Sequence, residues 1–147
     1  MANMAKKKLG RPRVDYVMPI IEVTEVAMHL SHRVDDRRNA YPSCGDAWLQ
    51  VRGTADEPID GQSDVEISVH EADGVKGPAQ DMTKSIGALV RLKPHPHVVL
   101  DMPPKMFDRA WTMAAGGQIR HIWLSMTKSK GRYAAIVSVS IQNEPIE

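Results

Sequence analysis

The sequence predicts an all-β protein, an antiparallel β-sandwich of six to seven strands with one short helix at about residues 104–115. Two observations support this class. Segments in which apolar and polar residues alternate recur at spacings of roughly ten to twenty residues, the pattern of half-buried strands. The second faces of these segments are small or polar, which favours antiparallel sheets over a parallel α/β core.

The clearest strand is the segment around Val65, Ile67 and Val69, where each apolar residue is followed by a polar one. In the last third of the chain, Ile122, Leu124 and Met126 alternate in the same way. This last strand is predicted at 118–127, and the same pattern predicts the remaining strands at 20–31, 47–52, 86–92, 97–102 and 132–142.

Residues 20–31 allow two interpretations. The alternation of Val26, Met28 and Leu30 with smaller or polar neighbours predicts a strand. Apolar residues between Ile20 and Leu30 also recur at helical spacing, so an amphipathic helix competes. The high content of β-branched residues favours the strand.

Turn-forming residues predict the connections. Residues 32–46 combine charged residues with a Pro-Ser-Cys-Gly-Asp segment and are expected to form a long surface loop. Residues 53–63 and 74–81 are expected to be loops for the same reason. Residues 128–131, Lys-Ser-Lys-Gly, are expected to form a hairpin turn between the last two strands.

The helix has both a start and a stop signal. Pro103 and Pro104 suit a first helical turn, where no amide donor is needed. Gly116 and Gly117 supply the C-terminal signal. The apolar stripe between these signals consists of Met106, Phe107, Ala110, Trp111 and Ala114.

Charge is distributed unevenly along the 147 residues. Five of the 19 basic residues lie in the first thirteen positions, which leaves 14 basic against 18 acidic residues in the remainder. We therefore expect a disordered basic arm at 1–15 and a single sandwich domain at 16–147. The basic residues of the arm are Lys6, Lys7, Lys8, Arg11 and Arg13.

Within the arm, Gly10-Arg11-Pro12-Arg13 resembles the core of an AT-hook. The resemblance implies that Arg11 and Arg13 enter the narrow minor groove of A·T-rich DNA. It also implies that Lys6, Lys7 and Lys8 contact phosphates. The alternative interpretation is a basic tail that only aids solubility. The arm is thus a candidate polyanion or nucleic-acid contact.

Histidines form a second candidate site. His95 and His97 flank Pro96 and are followed by Asp101. This His-x-His-x3-acid spacing resembles half of a cupin metal site, and the resemblance implies a metal held by these three residues. The alternative is that both histidines are ordinary surface or edge residues.

Other catalytic motifs are missing from the sequence. The single cysteine, Cys44, has no base near it in the sequence, and no Gly-x-Ser-x-Gly or phosphate-binding glycine motif occurs. No run of about 18 apolar residues occurs, so we expect no membrane-spanning helix. The single cysteine also fits a reducing compartment, and a cytoplasmic location is expected.

Two of the three tryptophans, Trp111 and Trp123, lie in the methionine-rich last third of the chain. They either belong to the core under the helix or form part of an exposed interface. Together these observations predict a non-enzymatic, cytoplasmic binding or assembly module without a cofactor, acting as a homo-oligomer. The alternatives are a metal-dependent enzyme using His95, His97 and Asp101, and a nucleic-acid-associated protein using its arm.

Overall fold

The structure, a computed structural model, describes residues 16–34, 43–71, 85–127 and 134–144, without the side chains of 32–34 and 43–46. These ranges contain eight strands and one helix, so the prediction of an all-β chain with one short helix is confirmed. The basic arm at 1–15 lies outside the described residues. The elements are β1 (Tyr16–Val17), β2 (Ile20–Val34), β3 (Ser43–Ile59), β4 (Gln62–Glu71), β5 (Gly87–Arg91), β6 (His97–Met102), α1 (Pro104–Ala115), β7 (His121–Thr127) and β8 (Ala134–Gln142).

Seven strands close into a barrel, so the predicted sandwich is wrong. Their order is β7-β2-β3-β4-β6-β5-β8, and β8 pairs back onto β7. The strands β4 and β6 run parallel, and the other pairs in the barrel are antiparallel. Alternation alone does not distinguish the two architectures, because strands of a barrel and of a sandwich both direct every second side chain into the core.

The long strands β2 and β3 allow the sheet to close. Strand β2 pairs with β3 from Ile21 to Val34, and its first residues, Ile20 to Glu22, pair with β7 on the other edge. Strand β3 pairs with β2 between Ser43 and Ala55 and with β4 between Trp48 and Ile59, so its middle is paired on both edges. The two edges of each strand are thus paired over different stretches, which staggers the strands as closure of a barrel requires.

The segment 53–63, predicted as a loop, is a β-hairpin. Strand β3 continues to Ile59, and β4 begins at Gln62. Asp60 and Gly61 form the turn with φ of 48° and 83°, the left-handed conformations that tight two-residue hairpins need. The acidic residues that indicated a loop lie where the register between β3 and β4 shifts, between Thr54 and Ile59. Similarly, β2 and β3 extend into the predicted loop 32–46 from both sides.

The short strand β1 continues β2 along β7. Tyr16 is in register with Thr127, and Ile20 is in register with Trp123. Pro19 lies between β1 and β2 and has no amide hydrogen to donate, but its carbonyl accepts a hydrogen bond from the Leu124 amide at 3.1 Å. The interruption therefore costs the ladder one donor and leaves the register unchanged.

The core fills the barrel with side chains from every second position. The register partners Val51, Ile67, Val98 and Leu89 come from four neighbouring strands, and each is at most 1% exposed. The helix α1 contributes Phe107 and Ala110 and contacts β2, β4 and β6.

The helix has the bounds expected from its prolines and glycines. The Phe107 amide donates to the Pro103 carbonyl at 2.8 Å, which forms the first turn. Gly117 has a φ of 68° and ends the helix, and its amide donates to the Ala114 carbonyl at 3.0 Å. No helix among the described residues is long and apolar enough to cross a membrane.

We expect Leu49→Ala to lower the free energy of unfolding by about 2–5 kcal/mol, because Leu49 is fully buried and its loss leaves a cavity. Leu30→Ala is the matched control. Leu30 is 74% exposed on the neighbouring strand, so its loss is expected to change stability by less than about 0.5 kcal/mol. Urea denaturation followed by circular dichroism measures both, and equal effects would contradict the barrel core described above.

Candidate functional site

Three rings lie in one row on the outer face of the barrel. His29 of β2 is in register with Trp48 of β3, and Trp48 is in register with His70 of β4. The neighbouring residues Leu49 and Val69 are fully buried in the core, so Trp48 and His70 point outward. We call His29, Trp48 and His70 the stacked rings.

The stacked rings are nearly parallel to one another. The ring centroids of His29 and Trp48 are 4.6 Å apart with an interplanar angle of 9°. Those of Trp48 and His70 are 6.4 Å apart at 18°. All three side chains are half-buried, so solvent reaches part of each ring. Because the rings stack on one another, the row offers a planar ligand the ring edges and the ring faces that are not stacked.

A polar cluster lies on the same wall, four residues away along β3 and β4. At the strand rise of about 3.3 Å per residue, the separation is about 13 Å. Its centre is Glu66, whose side chain points outward but is covered by its neighbours and only 7% exposed in all. We call Glu66 and the side chains around it the Glu66 cluster. Its members are Gln50, Arg52, Glu66, Ser68, Arg91, His95 and His97.

Both carboxylate oxygens of Glu66 have partners. His95 Nε2 donates to Oε1 at 3.0 Å, and Arg52 lies 3.7 Å from the same oxygen. The Gln50 side-chain amide donates to Oε2. A buried carboxylate is tolerated when it is hydrogen-bonded and paired in this way. The Glu66 cluster therefore holds one negative charge among matched donors.

His97 is held as a neutral imidazole. Arg91 approaches its Nδ1 at 3.3 Å and can only donate, so Nδ1 accepts. The proton is then on Nε2, which donates to the Ser68 hydroxyl oxygen at 3.0 Å. Glu66 Oε2 lies 3.8 Å from Nδ1. This arrangement uses both ring nitrogens of His97 within the protein.

Two pKa values are shifted in the Glu66 cluster. The hydrogen bond from His95 holds the pKa of the Glu66 carboxyl below its ordinary value of 4.5; burial opposes this shift, and the Gln50 hydrogen bond reinforces it. Burial lowers the pKa of the His97 imidazole below its ordinary value of 6.5; the Glu66 charge opposes this shift, and Arg91 reinforces it.

The residues of the predicted metal site are not all together. His95 and His97 both lie beside Glu66. Asp101 is four residues beyond His97 on β6, about 13 Å along the strand, and is in register with His70. Among the residues that the structure describes, no three His, Cys, Asp or Glu side chains are grouped as metal ligands.

The other predicted site residues have different surroundings. Trp111 is half-buried on α1 against the core, with its ring centroid 5.8 Å from that of Phe107. Trp123 is 42% exposed on β7. The basic residues predicted for polyanion contact, Lys6, Lys7, Lys8, Arg11 and Arg13, lie outside the described residues.

Sequence reasoning missed the stacked rings and Glu66. The sequence signal for these residues was their position, since each alternates with apolar residues that face the core. Trp48, for example, directly precedes the buried Leu49. The pairing register that brings three such residues into one row is not encoded in any single strand.

Comparisons with protein-family models, with curated proteins and with solved structures found no match to this chain.

We expect the free energy of unfolding to fall as the pH drops below about 6.5. In that range the unfolded chain protonates His97, while the folded protein resists protonation, so the unfolded state binds more protons. His97→Gln keeps a polar side chain and removes this contribution. Its stability should decline less between pH 7 and pH 5 in urea denaturation.

Below pH 4.5 a further decline is expected in both proteins. The folded state keeps Glu66 ionised while the unfolded chain takes up a proton, so the stability that Glu66 contributes is lost as the pH falls through its lowered pKa. If the free energy of unfolding falls equally in wild type and in His97→Gln between pH 7 and pH 5, protonation of His97 does not cause the decline in that range.

Proposed function

We propose that this protein is a non-enzymatic, cytoplasmic binding module for single-stranded nucleic acid. The strand would lie across the outer wall of β2, β3 and β4, with unpaired bases against the stacked rings. The observation that carries the proposal is the row of three near-parallel rings from three adjacent strands. Stacking between a base and an aromatic side chain contributes about 1–3 kcal/mol per base and tolerates any sequence.

Basic groups suited to the phosphates accompany the rings. Arg52 of β3 and Arg91 of β5 both belong to the Glu66 cluster, and both are exposed. The five basic residues before position 14 supply further contacts for a polyanion. Hydrogen bonds from Gln50 and His95 partly offset the negative charge of Glu66, which would otherwise repel the strand.

The strand order supports the same function. In the barrel, β6 and β5 lie between β4 and β8. Without these two strands, the order in the sheet is β2-β3-β4-β8-β7, and β7 closes the barrel onto β2. In the chain, α1 directly precedes β7. This order resembles an OB-fold, a five-stranded Greek-key barrel whose second and third strands bind oligonucleotides and oligosaccharides. The corresponding strands here, β3 and β4, carry Trp48 and His70. The resemblance is one of topology and supports the proposal as an analogy.

The arrangement favours binding over the metal-dependent enzyme considered from the sequence. Catalysis by His95 and His97 with a metal would need ligand atoms free to coordinate. Here His95 is engaged by Glu66, and both nitrogens of His97 are engaged by Arg91 and Ser68. Asp101 is remote from all of them.

The first test is binding of a fluorescent 12-nucleotide oligothymidylate by the full chain, followed by anisotropy. We expect Trp48→Ala to raise the Kd about 10-fold, since it removes the central ring. Leu30→Ala should leave the Kd unchanged, because Leu30 is exposed but lies on the face of β2 opposite to His29. A duplex of the same length is expected to bind less tightly, because its bases are not available for stacking.

Deletion of residues 2–13 distinguishes the contribution of the arm to binding from that of the stacked rings. We expect the truncated protein to keep the Trp48 effect but to lose up to about 3.5 from the slope of log K against log salt, about 0.7 for each of five phosphate contacts. If Trp48→Ala changes nothing, the rings are not the site. If an oligosaccharide competes with the oligothymidylate and the ring variants abolish its binding, the ligand is a carbohydrate.

We also propose that the protein is a homo-oligomer. The supporting observation is an apolar row on the outer face along β1 and β7: Tyr16 is 50%, Met18 64% and Trp123 42% exposed. Monomeric proteins seldom leave several large apolar side chains exposed side by side. A second copy that covers this row would bury them.

Light scattering after size exclusion tests the oligomer. We expect the wild type to have a mass above that of one chain at low and at high salt, and Trp123→Ser to have the mass of one chain. Leu30→Ser, which also removes an exposed apolar side chain, is the control and should keep the wild-type mass. A wild type with the mass of one chain at both salt concentrations would refute self-association.

A further inference from the structure

The sheet opens into a cleft between β1 and the end of β3. Among the described strands, β1 pairs with β7 alone, and the ladder between β2 and β3 ends at the pair Ile21 and Ala55. Beyond this pair, Pro19 on one side and Pro58 on the other have no amide hydrogen to donate. Because neither segment can continue the ladder there, the two strands separate.

The cleft has a volume of about 230 Å³ and is lined mostly by apolar side chains. Val17 and Pro19 lie on one side, residues 57–60 of the hairpin lie on the other, and Met126 also lines it. Ile59 and Met126 belong to the core and are 5% and 1% exposed, so the cleft reaches the core. A cavity of about 150 Å³ is enough for a benzene molecule. The cleft can therefore hold an apolar side chain of the size of leucine.

Two carboxylates flank the apolar part of the cleft. Glu57 and Asp60 are both exposed and lie on either side of Pro58 and Ile59 in the sequence. No basic side chain in the part of the chain that the structure describes forms an ion pair with either of them. An apolar cleft with a negative charge on each side is complementary to a peptide in which basic residues flank an apolar one.

The basic arm of this chain has that pattern. Leu9 stands between the bases of residues 6–8 and those of residues 11–13, and the first thirteen residues contain no acid. Leu9 precedes Val17 by eight residues, a length of chain that spans up to about 28 Å. Since Val17 itself lines the cleft, this length is sufficient for the arm to turn back into it. A tether this short gives an effective concentration on the order of 1 mM, at which weak contacts are enough for binding.

We propose that the basic arm docks in the cleft of its own chain, with Leu9 against Ile59 and the flanking basic side chains against Glu57 and Asp60. Docking itself does not depend on the proposed function. One consequence rests on that function: a nucleic acid competes with the two carboxylates for the same bases, so the arm leaves the cleft when the nucleic acid binds. The cleft thereby controls how many positive charges the free protein presents.

Amide ¹H–¹⁵N spectra of the full chain test docking. Deletion of residues 2–13 should shift the signals of Ile59, Asp60 and Met126, which are far from the deletion in sequence, and should leave the indole signal of the stacked rings unchanged. In the full chain, Leu9→Ser should move the same three signals toward their positions in the shortened chain. Met4→Ser also removes an apolar side chain of the arm but lies before the run of bases. It is the matched control and should leave the signals in place.

The two carboxylates are tested by the double variant Glu57→Gln with Asp60→Asn. Asparagine tolerates the φ of 48° at position 60, so the turn is preserved. In the full chain, this variant should lower the Kd for the 12-nucleotide oligothymidylate about 5-fold, because two exposed ion pairs no longer hold the arm. In the chain without residues 2–13, it should change the Kd by less than about 2-fold. Asp108→Asn, which removes an exposed carboxylate on α1, is the control and should leave the Kd unchanged in both chains.

The outcomes distinguish docking from the nucleic-acid function. If deletion of the arm leaves the signals of Ile59 and Asp60 in place, or if Leu9→Ser and Met4→Ser have equal effects, the docked arm is refuted. If unlabelled full chain restores the shifts in ¹⁵N-labelled shortened chain, the arm binds a second copy, and docking within one chain is refuted. If the carboxylate variant lowers the Kd equally in both chains, release of the arm is refuted. If the shifts follow the prediction and the protein binds no oligothymidylate, docking is supported and the nucleic-acid function is wrong.

Discussion

Closure of the barrel is the constraint on which the other features depend. With β8 paired to both β5 and β7, the position of every strand in the barrel is fixed by two neighbours, and successive residues of a strand point alternately into the core and outward. The tolerance at one seam is small: a Cβ atom at Gly87 would lie 2.1 Å from the Val99 carbonyl oxygen, so β5 approaches β6 at a distance only glycine permits. A one-residue shift of β2, β3 or β4 would turn the ring on that strand into the core.

That constraint also explains how an outer wall holds an ordered site. Surface side chains usually sample several rotamers, and ordering them costs conformational entropy. Here the rings restrain one another through stacking, and Glu66 is fixed by donors from β3 and from the segment before β6. The partners are held by strands that the closed core keeps in place. Preorganisation of this kind lowers the entropy lost when a ligand binds.

The local sequence pattern is sufficient to predict the helix and most strands, but it does not predict how the strands pair. The helix follows from Pro104 and Gly116, and the alternation around Ile67 identifies a strand without reference to the rest of the chain. The residues that make β3 long were misread, because Asp56 and Glu57 have the composition of a loop and yet continue a strand past a shift in register. The stacked rings were missed for a different reason. A tryptophan and two histidines become one surface only when three strands are aligned, and alternation does not specify that alignment.

The Glu66 cluster and the stacked rings share the strands β3 and β4 but differ in how well they suit a bound polyanion. A path for a polyanion is best without a carboxylate, yet Glu66 lies between Arg52 and His97 on that path. Its hydrogen bonds resolve the conflict at neutral pH, since His95 and Gln50 occupy its oxygens and Arg52 and Arg91 extend beyond it into solvent. The carboxylate thereby serves to hold the donors in position, and the arginines present the outward charge. If a base is held at Trp48, phosphates farther along the nucleic-acid strand would meet guanidinium groups about 13 Å away, where donors cover the Glu66 carboxylate.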